Sequence, residues 1–182
     1  MAIIKIRNTS DGFTLIEVLV SVGIIALVMT VLAQGFFSLF RTNIKTELLK
    51  DVKQNGDFAL DVMGRMIRNS KSVATTCSLG GTTTASFSVV NQDGFTTTFG
   101  CLQDATIPRI ASTSGTRTDY LTSRNVSLGI NGCTNAVTFV CTRLISGQTS
   151  VKITFTLGQV GTPPDQFAKA NSSFQTSVMT RQ

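Results

Sequence analysis

The sequence predicts an α+β fold in which one long N-terminal helix packs its second half on an antiparallel β-sheet domain, and three observations predict it. Residues 13–40 form an unbroken apolar run, and residues 41–70 keep helical periodicity but become amphipathic. Residues 71–182 turn rich in Thr, Ser and Gly, with short alternating apolar stretches. A helical period followed by a period of two is the pattern of a helix and a sheet segregated along the chain. The 182 residues have room for a membrane-length helix and one globular domain.

Residues 1–12, MAIIKIRNTSDG, carry Lys5 and Arg7 and end in Asn8, Thr9, Ser10, Asp11 and Gly12. Those last five residues disfavour helix, which predicts an extended segment open to a peptidase. From Phe13 to Phe40 the only charged side chain is Glu17 and the only amide is Gln34. At about 1.5 Å per residue such a helix reaches roughly 40 Å, more than the ~30 Å hydrocarbon core of a bilayer. Residues 41–70 should continue it. Ile44, Leu48 and Val52 recur at four-residue spacing, followed by Ala59, Met63, Met66 and Ile67, with charged residues on the other faces. Gly23, Gly35, Gly56 and Gly64 are its weak points, each costing about 1 kcal/mol against alanine.

Glu17 needs an explanation, because a carboxylate at the bilayer centre costs about 2.5–3.5 kcal/mol on insertion scales. A cut after Gly12 would give Phe13 a new α-amino group, with Glu17 four residues on and one helical turn away. The carboxylate can then pair with its own amine, or with that of a neighbouring copy when helices bundle. An ordinary signal peptide does not fit: its apolar core is shorter and ends in small residues at the cleavage site.

The stretch Gly12-Phe13-Thr14-Leu15-Ile16-Glu17, after a leader containing Lys5 and Arg7, resembles the processing signal of type IV prepilins and type II secretion pseudopilins. The resemblance implies that a membrane-embedded prepilin peptidase cuts after Gly12 and that Phe13 becomes the N-methylated first residue. It implies that Glu17 serves assembly, docking the N-terminal helix among those of other pilins or pseudopilins at an inner-membrane assembly platform. The expected regions are then a leader at 1–12, a transmembrane and filament-core helix at 13–40, an amphipathic helix at 41–70 and a β-rich extracytoplasmic domain at 71–182. The family's fold, a long helix on an antiparallel sheet, agrees with the prediction made from periodicity. Many major pilins have a proline in the first helix; here all three prolines lie beyond residue 100, at Pro108, Pro163 and Pro164. That departure points to a minor subunit.

In the β-rich part the expected strands are Ser86 to Asn91, Phe95 to Leu102, Thr118 to Thr122, Ala136 to Ile145, Val151 to Gly158 and Phe174 to Thr180. The clearest alternation puts Val151, Ile153, Phe155 and Leu157 on one face and Lys152, Thr154 and Thr156 on the other. Asn91-Gln92-Asp93-Gly94 and Ser146-Gly147-Gln148 read as hairpin turns. Residues 80–84, 112–117 and 161–171 read as surface loops, the last kept out of a central strand by Pro163-Pro164. The ending from Phe174 to Gln182 is similar to the final strand of W-type minor pilins and J-type pseudopilins.

Charge and cysteines bound the function. The net charge is +6, and losing residues 1–12 removes Lys5, Arg7 and Asp11 to leave +5. That balance can assist contact with nucleic acid or anionic lipid, but no run of adjacent basic residues makes a clustered footprint. The even set Cys77, Cys101, Cys133 and Cys141 predicts disulfides in an oxidising compartment. Of the three pairings the local one, Cys77 with Cys101 and Cys133 with Cys141, is favoured for its short loops. Flanking positive charges do not orient the helix, because Arg41, Lys45, Lys50 and Lys53 follow it as Lys5 and Arg7 precede it. The processing motif and the cysteines put residues 41–182 in the periplasm or outside, on a single-pass inner-membrane protein that later joins a pilus or pseudopilus.

The chain contains no histidine, which excludes a Ser-His-Asp triad, a Cys-His pair and a histidine base. Asp93, Asp104, Asp119 and Asp165 read as scattered turn residues, with no dense ligand array for calcium. No enzyme activity, cofactor or metal site is expected. The leading expectation is a minor pilin that primes, caps or joins a type IV pilus. The alternatives are a J-type minor pseudopilin of a type II secretion system and a filament-borne subunit that binds DNA or a surface.

Overall fold

The structure is a computed structural model and describes residues 12–129, 132–161 and 170–181, except the side chain of Arg41. Contacts divide the chain into two units, residues 1–42 and residues 43–182. A single helix, α1 (Leu15–Arg68), contributes to both. It begins two residues after the apolar run does. Thr14 stays outside the helix and caps it, so Phe13 is not on the first turn as its position in the run suggests.

In the second unit, ten strands follow among the described residues: β1 (Ser72–Val73), β2 (Thr82–Thr84), β3 (Ser86–Val90), β4 (Thr96–Asp104), β5 (Ile107–Ser114), β6 (Arg117–Tyr120), β7 (Val126–Ser127), β8 (Val137–Arg143), β9 (Thr149–Gln159) and β10 (Asn171–Met179). They form two antiparallel sheets rather than one. The first has the order β1-β3-β4-β5-β6, and the second β10-β9-β8-β2 with β7 also on β9. The two hairpin turns form where expected, with Gly94 and Gly147 both at positive φ.

Four strands lie outside the expected set. β5 contains Pro108, yet it pairs along β4 on one side. Its other side meets β6 only from Ala111 to Ser114, so the missing N–H of Pro108 falls beyond the ladder. The expected loop at residues 112–117 therefore shrinks to the turn between β5 and β6. β2, expected as loop, pairs Thr82, Thr83 and Thr84 with Cys141, Val140 and Phe139 of β8. β1 and β7 are two residues long, too short to leave a pattern in sequence. The last expected loop lies largely outside the described residues, and Asn171, placed in it, opens β10.

One core joins both sheets and the helix. From α1, Val52, Ala59, Met63 and Ile67 are buried, whereas Ile44, expected on the same stripe, is exposed. The strand β9 buries Val151, Ile153, Phe155 and Leu157 and turns Lys152 and Thr156 outward, as its alternation predicts. Phe87 of β3 stacks on Phe139 of β8 with ring centres 5.9 Å apart, which links the two sheets. Asn55 of the helix accepts the Ser123 N–H at 2.7 Å and donates to Asp51, tying the helix to the segment after β6.

The cysteines pair as Cys77–Cys141 and Cys101–Cys133, not in the local arrangement. Both Cα separations are 5.4 Å, well within bridging range. The reason is topological. The segment after β1 runs beside β8, bridging Ser78 to Thr142, while Cys101 on β4 meets the loop that leads into β8.

Candidate functional site

The first unit is built around the start of α1. The Glu17 N–H donates to the Thr14 carbonyl at 3.1 Å and to Thr14 Oγ1 at 3.3 Å, and the Val18 N–H donates to the same carbonyl at 3.2 Å. Thr14 is thus the N-cap and Glu17 the third helical residue, the Thr-x-x-Glu spacing of a capping box. That spacing is a second signal within the same hexapeptide, and it accounts for Glu17 locally. Glu17 is exposed and lies in the first turn, where unpaired N–H groups and the helix dipole favour negative charge. Gly12 and Phe13 lie outside the helix, and Phe13 is 81% exposed. An exposed, non-helical Gly12-Phe13 bond directly ahead of a capped helix is one that a peptidase can reach.

Beyond Glu17 the helix is apolar all round. Every large apolar side chain from Phe13 to Phe40 is at least half exposed. Hydroxyls in this stretch close on the helix itself: Ser21 donates to the Glu17 carbonyl at 2.7 Å and Thr30 to the Leu27 carbonyl at 2.7 Å. The helix contains a window of mean hydropathy 2.7, long and apolar enough to cross a membrane, and none of that window is buried. Such a surface requires lipid or other helices to cover it.

In the second unit Asp104 is not the solitary turn residue expected. Arg109 Nη1 donates to its carboxylate at 2.5 Å, and Arg124 Nε and Nη2 donate at 2.9 and 3.2 Å. Arg109 is buried; its Nε and Nη2 donate to the Thr122 carbonyl, and its guanidinium lies 4.3 Å from the Tyr120 ring centre. The hydrogen bond from Arg124, then that from Arg109, holds the Asp104 carboxyl below the usual carboxylate range. Both carboxylate oxygens are engaged, so the group clamps the end of β4 to the segment after β6 and is not free to move a proton. Asp93 accepts the Phe95 N–H at 3.0 Å, the turn role expected of it, and Asp119 pairs with Arg117; Asp165 lies outside the described residues. Among the described residues no three His, Cys, Asp or Glu side chains gather where they could hold a metal ion.

Residues 7–33 match the family model described as prokaryotic N-terminal methylation motif. The match spans the Gly12–Glu17 signal and the apolar helix as far as residue 33, and supports the type IV prepilin and pseudopilin family. No curated protein and no solved structure matches the chain.

Proposed function

We propose that the chain, which carries the N-terminal signal of type IV prepilins and pseudopilins, is a minor pilin. Residues 1–12 are the leader. The prepilin peptidase cuts between Gly12 and Phe13 and methylates the Phe13 amine. Residues 13–40 anchor the subunit in the inner membrane and then join the bundle of N-terminal helices inside a filament, with residues 41–70 as its amphipathic continuation and residues 71–182 in the periplasm or outside. Glu17 neutralises the Phe13 amine of an adjacent subunit, which sets the stagger between neighbours.

The observation that carries this reading is the hexapeptide Gly12-Phe13-Thr14-Leu15-Ile16-Glu17 at the start of an exposed, all-apolar helix, inside the residues that match the methylation motif. The minor role rests on the absence of proline throughout α1.

The test is the mature N-terminus. Mass analysis of the purified protein should find a chain beginning at N-methylated Phe13. Gly12→Val should leave a full-length precursor in the membrane; normal processing of that variant would overturn the assignment.

A further inference from the structure

Where the segment after α1 passes the β8–β9 hairpin, a cleft of about 490 Å³ opens between the two sheets. Lys71, Arg143 and Arg181 line it, together with Thr and Ser groups, and no carboxylate lines it among the described residues. None of the three cations forms an ion pair among the described residues. Elsewhere in this unit four arginines pair with acids: Arg65 with Asp61, Arg117 with Asp119, and Arg109 and Arg124 with Asp104. Lys45, Lys50, Lys53, Arg68 and Lys152 of this unit form no ion pair among the described residues either; what sets Lys71, Arg143 and Arg181 apart is that they gather on one polar cleft with no described carboxylate lining it.

Two protruding aliphatic side chains flank the same cleft. Leu79 is 70% exposed in the turn that follows Cys77, and Ile145 is fully exposed at the tip of the β8–β9 hairpin. Their turns rise from adjacent backbone. The Arg143 N–H donates to the Ser78 carbonyl at 3.0 Å, Ser78 bridges Thr142, and the Cys77–Cys141 disulfide fastens the two segments below. A single exposed leucine or isoleucine is ordinary on a protein surface; here two stand on braced neighbouring tips beside the three cations.

We propose that this end of the second unit docks on an anionic phospholipid surface, with Lys71, Arg143 and Arg181 taking headgroup phosphates and Leu79 and Ile145 entering the acyl boundary. Charge complementarity selects the occupant. Cations attract the negative surface of such a bilayer, and aliphatic tips gain by leaving water at the headgroup level. A nucleic-acid backbone would satisfy the cations but would leave both tips exposed, and the described residues that line the cleft include no aromatic ring on which a base could stack. The surface lies wholly in residues 43–182 and does not depend on how the N-terminus is processed.

The test uses the full chain held by its apolar helix in nanodiscs of phosphatidylcholine, mixed with vesicles of phosphatidylcholine with or without phosphatidylglycerol. Co-sedimentation should require phosphatidylglycerol and weaken as salt rises. Lys71→Gln, Arg143→Gln and Arg181→Gln should each lower vesicle affinity roughly fivefold, and together on the order of a hundredfold. Leu79→Ser with Ile145→Ser should weaken binding while keeping its salt dependence. Thermal unfolding of every variant should match the parent, as all five side chains are exposed. Equal binding to both vesicle types, or undiminished binding by the triple variant, would overturn the proposal. So would binding of inorganic phosphate or a mixed-sequence DNA duplex by a chain that leaves the phosphatidylglycerol vesicles in solution.

Discussion

The ring of Phe174 on β10 lies directly over Gly56 of α1, so close that a Cβ on Gly56 would sit 2.2 Å from the ring's Cζ. Phe174 in turn stacks on Phe155 of β9, its partner across the ladder, with ring centres 5.3 Å apart. The helix can approach the second sheet here only because residue 56 has no side chain. About two helical turns further on, Val178 meets Gly64 quite differently: a Cβ there would sit 3.5 Å from the valine methyl, ordinary contact. The two glycines, equal in sequence, should respond differently to alanine.

Gly56→Ala should destabilise the protein by about 1–3 kcal/mol, the usual cost of forcing extra volume into a packed site. Gly64→Ala should be neutral or stabilising by up to about 1 kcal/mol, the helix propensity gained. Thermal unfolding of the detergent-solubilised protein measures both. A stable Gly56→Ala variant would show that the helix does not seat on Phe174.

The Asp104 clamp predicts a pH dependence. Arg124 and Arg109 lower its carboxyl in the folded state. The stabilisation is therefore complete above the unfolded value of about 3.9 and is lost as pH falls through the lower folded value. Unfolding followed between about pH 5 and pH 2 should show a loss that Asp104→Asn abolishes, because the amide does not titrate. Arg124 is 74% exposed against 10% for Arg109, so added salt should screen the Arg124 contact and spare the Arg109 contact. An acid limb unchanged by Asp104→Asn would remove the clamp from the stability of this domain.

Non-reducing peptide mapping should recover Cys77 linked to Cys141 and Cys101 linked to Cys133; a peptide joining Cys77 to Cys101 would overturn this chain topology. The bridges span 64 and 32 residues, and the shorter loop is nested in the longer. With the inner bridge closed, the outer one has only about half its span left to constrain. Serine replacement of either pair alone should therefore cost a similar amount, about 3–4 kcal/mol on the loop-closure account. Denaturant unfolding of the two double variants tests that equality.

Glu17→Ala should remain open to processing yet fail to enter filaments. Losing an acid from the first turn costs a helix only about 0.3–1 kcal/mol, too little to unfold α1. A failure of assembly would thus report on the charge, not on the fold. Glu17→Gln sharpens the test, since it keeps the size and loses the charge. Filaments carrying either variant at the parent's level would sink the pairing with Phe13.

Local pattern is enough for much of this molecule. Length and apolar composition identify a helix able to cross a membrane, and the alternation of β9 identifies its buried face, because both depend only on neighbours within a turn or a pleat. The hexapeptide from Gly12 to Glu17 likewise stands in the sequence as a contiguous signal, and the Thr14 cap that starts the helix is legible there too. Features that need two distant segments to meet are decided by the tertiary structure. Four cysteines allow three pairings, and only the course of the chain beside β8 brings Cys77 to Cys141. Asp104 becomes a clamp because β4, β5 and the segment after β6 converge on it. Pro108 sits within a sheet because β6 stops short of it, and Gly56 turns from a weak point of a helix into the condition for seating that helix, because Phe174 arrives from more than a hundred residues away. Periodicity encodes which face of an element is apolar; which partner covers that face is fixed only by the packing of the whole domain.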